Sequence, residues 1–191
     1  MKLMETLKIL TQKKLTFDNW EVDKYTILPP IPISNIWRYG GSDPGTVNLG
    51  ISWLYTTDDG KDRADLWQIR LERITDSVER IIFFNNLLYD LIPNILGGVR
   101  NMIIENAAYA KGFRQVELAE QRAIMAVWYR KEAGFRVRMV PPLSIRKVVF
   151  GSGKVKAHEA WQLDGIPKNK QPNDALAALA CAYYGMMKEE E

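Results

Sequence analysis

Apolar residues recur at three- and four-residue spacing at Val78, Ile81, Ile82, Leu88 and Leu91, and again at Val116, Ala119, Ala123 and Val127. Each pattern predicts an amphipathic helix, over residues 77–91 and 114–132. A third helix is predicted from Asn173 through Leu176, Leu179, Tyr183 and Met186. Residues 36–55 carry two aromatic and β-branched runs around Pro44-Gly45, which predicts a strand, a turn and a strand. Residues 65–71 largely alternate apolar and polar positions, a third antiparallel strand. The short apolar run Met102-Ile103-Ile104, closed by Glu105, suits a buried parallel strand, and residues 135–140 suit another. Pro141-Pro142 leads into a short helix, and Gly151-Ser152-Gly153-Lys154-Val155-Lys156 makes a basic, glycine-rich turn before a further one. Residues 3–14 read as a weak amphipathic helix on Leu3, Leu7 and Leu10. The segment Leu28-Pro29-Pro30-Ile31-Pro32 must be extended.

Three antiparallel strands followed by helix-separated strands imply an α/β fold, a mixed five-stranded sheet flanked by helices. Residues 1–36 are expected to be an N-terminal extension joined by the stiff proline segment, and residues 37–191 the main domain.

Composition narrows the chemistry. The chain has 191 residues, 47% hydrophobic and 26% charged, with a formal charge of +3, as expected of one globular domain. One cysteine excludes a disulfide framework and a Cys-rich zinc site, and one histidine excludes a His-rich metal centre. Catalysis would then lean on carboxylates, lysines or metal-bound water. No run approaches the roughly 18 apolar residues that would span a bilayer. No apolar leader follows Met1, so the protein is expected to be intracellular, with no membrane partner.

Three acids stand at positions suited to chemistry. Asp43 ends the first strand of the body, Glu105 ends an apolar strand, and Asp174 opens the last helix. Each has an ordinary alternative as a turn residue, a strand-end residue or a helix N-terminal acid. If the first and fourth strands of the body are neighbours, the first two acids lie side by side, and a helix crossing that edge adds the third. Three carboxylates together repel unless cations neutralise them, and oxygen-only ligands favour Mg²⁺ or Mn²⁺. Two such ions about 4 Å apart can clamp a phosphodiester and activate water. Arg146, Lys147, Lys154 and Lys156 cluster around the glycine turn, and Lys168 and Lys170 precede Asp174. These are candidate phosphate contacts. His158 is read as an ordinary helical residue, and the six tryptophans as core or interface groups.

In this order the motifs resemble the RuvC-type Holliday junction resolvases of the RNase H-like superfamily, over about residues 37 to 187. Ser42-Asp43-Pro44-Gly45-Thr46-Val47-Asn48 is similar to the family's first motif, with Asn48 closer to its viral and mitochondrial branch. Ile103-Ile104-Glu105-Asn106 resembles the second motif, and Leu118-Ala119-Glu120-Gln121-Arg122-Ala123 the start of the long dimer-forming helix. Residues 148–156 resemble the DNA-touching basic segment, and Asn173-Asp174-Ala175-Leu176-Ala177 the final motif.

The resemblance implies a homodimeric, Mg²⁺-dependent endonuclease (Mn²⁺ substituting) that cuts four-way or other branched DNA by paired hydrolysis. It would act in the cytoplasm or at the nucleoid, or in the host cytoplasm if viral. Asp43, Glu105 and Asp174 would be catalytic metal ligands. The family usually places a fourth acid or a histidine three residues before the last aspartate. Here that place is Gln171, whose amide oxygen is a candidate ligand. The family's junction-wedging aromatic is missing at Ala107 and Ala108, and Tyr109 is its nearest substitute. Two rivals stand: another RNase H-like nuclease of packaging or transposase type, and a catalytically weakened branched-DNA binding protein.

Overall fold

A computed structural model of the chain describes residues 4–16, 20–33, 38–45, 47–71, 74–90, 100–106 and 114–189. The strands are β1 (Glu5–Leu7), β2 (Ile9–Thr16), β3 (Glu21–Ile27), β4 (Tyr39–Pro44), β5 (Asn48–Thr56), β6 (Asp62–Arg70), β7 (Asn101–Glu105), β8 (Arg136–Val140) and β9 (Trp161–Leu163). The helices are α1 (Ser77–Asp90), α2 (Arg114–Lys131), α3 (Pro142–Phe150), α4 (Ala157–Ala160) and α5 (Asn173–Glu189).

The main sheet has seven strands in the order β2-β3-β6-β5-β4-β7-β8. The first four pairings are antiparallel, and β4–β7 and β7–β8 are parallel. The mixed sheet and its flanking helices are as expected, with two strands more than the five predicted. Both come from the N-terminal segment. Residues expected to form an amphipathic helix are extended instead: β1 pairs with β9, and β2 with β3. The reason is tertiary. β3 covers what would otherwise be the open edge of β6, and Val22, Tyr25 and Ile27 are buried there. The proline segment is also tied to the body. Ile31 N–H donates to the Tyr183 hydroxyl (3.2 Å), which donates back to Ile31 O (2.9 Å). Ile33 N–H donates to Asp62 Oδ2 at 2.9 Å.

Both faces of the sheet are covered, and strand alternation sorts the side chains. Tyr39, Leu54, Leu66 and Ile103 pack under α5, while Leu49, Ile51, Ile69, Met102 and Ile104 pack under α1 and α2. This double burial explains the unbroken apolar run of β7.

Two glycines let α5 lie close on the sheet. A Cβ at Gly41 would stand 1.9 Å from Ala178 O, and one at Gly50 would stand 2.0 Å from Asp174 O. The helix answers with small residues, and Ala175, Ala178 and Ala182 are fully buried.

On α2 the orientation differs from the apolar pattern. The stripe Val116, Ala119, Ala123 and Val127 points outward, while Glu117, Gln121, Arg122, Met125, Trp128 and Tyr129 face in. Glu117 is held by Arg80 of α1 through a 2.8 Å charge-assisted bond. Ion pairing between the two helices thus replaces part of the apolar contact that periodicity alone would have assigned.

Candidate active site

The parallel pairing of β4 with β7 sets Ser42 opposite Ile104, so the next residues along, Asp43 and Glu105, emerge side by side at the strand ends. Across the other edge of β4, Asp43 pairs with Gly50, and Gly50 pairs in turn with Gln68 of β6. The first turn of α5 sits on that glycine, which brings Asp174 over the same row. Gln68 then fixes it: its Nε2 donates to Asp174 Oδ2 at 2.7 Å, and Ala175 N–H donates to Gln68 Oε1 at 3.2 Å. Gln68 is buried, and both ends of its amide are engaged at this helix start.

Asp43, Glu105 and Asp174 line one cavity of about 230 Å³. Arg146 of α3, Asn173 at the start of α5, and Lys156 and His158 at α4 complete its polar lining; Ile145, Phe150 and Ala177 supply apolar surface. Burial pushes the Asp43 carboxyl well above the usual carboxylate range, and the charges of Glu105 and Asp174 push it further. Glu105 is raised as well, first by burial and then by Asp174, against the pull of Arg146 and Arg122. Arg122 reaches in from α2; burial lowers its pKa while the two acids raise it.

Two arginines therefore offset only part of the negative charge, and proton uptake is the cluster's fallback. An all-oxygen donor set with unbalanced negative charge fits a hard divalent cation. Among the described residues, no three acidic, histidine or cysteine side chains converge tightly enough to hold an ion by themselves. An ion here would take its remaining ligands from water or a phosphodiester, as Mg²⁺ ordinarily does.

Not all the expected residues meet here. Gln171 does not face the cavity as a ligand. It precedes α5 in extended backbone, with Pro172 between it and the helix, so it does not share a helical face with Asp174. Its amide is engaged elsewhere: Leu163 N–H donates to Oε1 (2.8 Å), while Nε2 donates to Leu163 O (3.1 Å) and Ile166 O (2.6 Å). It pins the loop between β9 and α5.

Of the expected phosphate contacts, Arg146 and Lys156 line the cavity. Lys147, Lys154 and Lys170 are exposed outside its lining. Tyr109 lies outside the described residues. Four participants had escaped the pattern: Gln68, Asn173, Arg122 and His158. Gln68 is hidden in a strand alternation that reads the same with any polar residue. Arg122 is hidden because the apolar stripe of α2 suggested the wrong inward face.

No helix among the described residues is long and apolar enough to cross a membrane. No protein-family model and no curated protein matches the chain significantly. Solved structures do. Thermus thermophilus RuvC superposes with a TM-score of 0.60 at 17% identity, covering 80% of this chain and 95% of that one. T. thermophilus RuvC in complex with a Holliday junction substrate gives 0.61 at 17% identity, covering 80% and 96%. At this identity the likeness establishes the architecture: the chain has the RuvC fold, an RNase H-like mixed sheet flanked by helices.

Proposed function

We propose that the protein is a Mg²⁺-dependent endonuclease that resolves four-way or similarly branched DNA by paired phosphodiester hydrolysis. The observation that carries this reading is the meeting of Asp43, Glu105 and Asp174 from three separate elements in one cavity that Arg146 and Lys156 also line. Asp43, Glu105 and Asp174 would hold the metal. Divalent ions bound there supply Lewis-acid charge for attack of water on a phosphodiester.

The chain's own residues do the rest. Gln68 holds the Asp174 carboxylate in place, so the site is organised before substrate arrives. Arg146 and Lys156 face a phosphate with positive charge and fix its position without reading sequence. Arg122, buried behind the acids, limits their repulsion. T. thermophilus RuvC in complex with a Holliday junction substrate lends the choice of branched DNA.

A four-way junction has two-fold symmetry and needs two matched cuts, so we place the second site in a second copy of the chain. The outward stripe supports this. Val116 and Val127 on α2 are 62% and 61% exposed, and Val78 and Ile82 on α1 are 61% and 56% exposed. The protein would then act wherever replicating DNA lies, in the cytoplasm or at the nucleoid; Asn48 at the first hairpin favours a viral-like member.

The test is direct. Labelled four-way junction, flap and linear duplex are incubated with the protein, with and without Mg²⁺. Symmetric junction cuts that need Mg²⁺ and vanish in Asp43→Asn are expected. Tight junction binding with no cleavage in either Mg²⁺ or Mn²⁺ would point to the binding-protein reading instead. Linear duplex cut as readily as junctions would point to another RNase H-like nuclease.

A further inference from the structure

We propose that His158 is a substrate-contacting residue of the cavity, donating a ring N–H to the phosphodiester, and is not a metal ligand standing in for the missing fourth acid. This deepens the nuclease reading and rests on it. His158 is half-buried and lines the same cavity as the three acids. The acids come from the strand ends and α5, whereas His158 comes from α4, two residues after Lys156, and shares the cavity lining with Arg146 of α3. A metal ion drawn from the acids toward the histidine would have to approach Lys156, in a cavity where Arg146 already opposes it. A phosphate is attracted by the same two charges.

Imidazole keeps at least one N–H donor in either protonation state, so the contact does not depend on the ring's charge. The mount is firm. Lys156 N–H donates to Glu159 Oε2 at 2.9 Å, closing the turn that carries the ring. Ala157 and Trp161 on either side are buried in the core. The histidine thus stands on a fixed element rather than on a free loop.

The chain has one histidine, so selective ¹³C/¹⁵N-histidine labelling gives a single imidazole signature in the full-length protein. Two titrations separate the roles: four-way DNA junction in EDTA, and Mg²⁺ without DNA. The ring signal is expected to move with junction and to stay still with Mg²⁺ alone. His158→Ala should weaken junction binding in EDTA about tenfold, the scale of one hydrogen bond to a charged group. His158→Asn, which keeps a donor, should recover part of that loss, and both variants should keep the wild-type melting temperature and Mg²⁺ half-saturation. A ring that moves with Mg²⁺ alone, or a raised Mg²⁺ requirement in both variants, would overturn the assignment in favour of a ligand. A silent ring in a protein that binds and cuts junctions would overturn this inference alone. Failure of the wild type to bind or cut any branched DNA would remove the nuclease reading and this inference with it.

Discussion

Replacing Gly50 by alanine should separate the position of Asp174 from its chemistry. The added Cβ would lie 2.0 Å from Asp174 O, 2.1 Å from its carbonyl carbon and 2.6 Å from Ala175 N, whereas real Cβ contacts do not fall below 3.0 Å. The obstacle is backbone, which cannot rotate aside, so the start of α5 must retreat by about 1 Å. That displacement opens the 2.7 Å bond from Gln68 to Asp174 and carries the carboxylate away from Asp43 and Glu105. Misplacement of a reacting group by about 1 Å costs roughly 10²-fold in rate. Overpacking of this kind costs about 1–3 kcal/mol, equivalent to a melting temperature lower by roughly 3–10 °C in a protein of this size.

The assay is single-turnover junction cleavage at saturating Mg²⁺, alongside thermal melting. Gly134→Ala is the control. Its φ of 69° is strained for alanine, but nothing lies within 4 Å of the new methyl, and it sits beyond the end of α2, away from the cavity. It should lose about 1 kcal/mol of stability and no catalytic rate. Gly50→Ala cleaving at the wild-type rate with an unchanged melting curve would refute the argument that this glycine sets the distance between helix and acids.

Other expectations follow from the same geometry. Because burial and mutual repulsion raise the Asp43 and Glu105 pKa values, the metal-free protein takes up protons on folding there. Their contribution to stability is full below the ordinary carboxylate range and is lost as pH rises through the folded values, so metal-free melting temperature should fall with pH in that window. Asp43→Asn should flatten that dependence and abolish Mg²⁺-dependent stabilisation, measured by differential scanning fluorimetry with and without Mg²⁺. Gln171→Ala should lower the melting temperature by the equivalent of about 1–3 kcal/mol, because buried backbone groups at Leu163 lose their partner. Gln171→Asp should not reduce the Mg²⁺ concentration needed for cleavage, and a reduced requirement in a metal titration would restore Gln171 as a ligand. Val116→Glu with Val127→Glu should leave a folded monomer by light scattering, with cleavage of one strand at a time. Removal of residues 1–33 should give an aggregating or loosely packed protein by circular dichroism and gel filtration, since it uncovers the edge of β6.

The elements whose local pattern and tertiary environment agree were legible in the chain itself. The hairpin around Pro44-Gly45, the apolar strand ending in Glu105 and the helix opening at Asp174 all have one good conformation, and each sets its acid at the end of an element. The remainder depended on contacts between residues far apart in sequence. Residues 3–14 have weak helical spacing, but a helix there would leave the outer edge of β3 without β2, and β9 without β1, so pairing overrides propensity. The apolar stripe of α2 faces outward because the Arg80–Glu117 pair and the buried Arg122 serve groups on α1 and at the acid cluster, which periodicity cannot register. Gln171 stands three residues before Asp174 in the chain, yet Pro172 breaks the helical register and the loop backbone at Leu163 and Ile166 claims its amide. Sequence determined which acids could meet. The sheet order and the closeness of α5 over Gly50 decided that they do, because only the folded backbone fixes distances between elements that local preferences leave free.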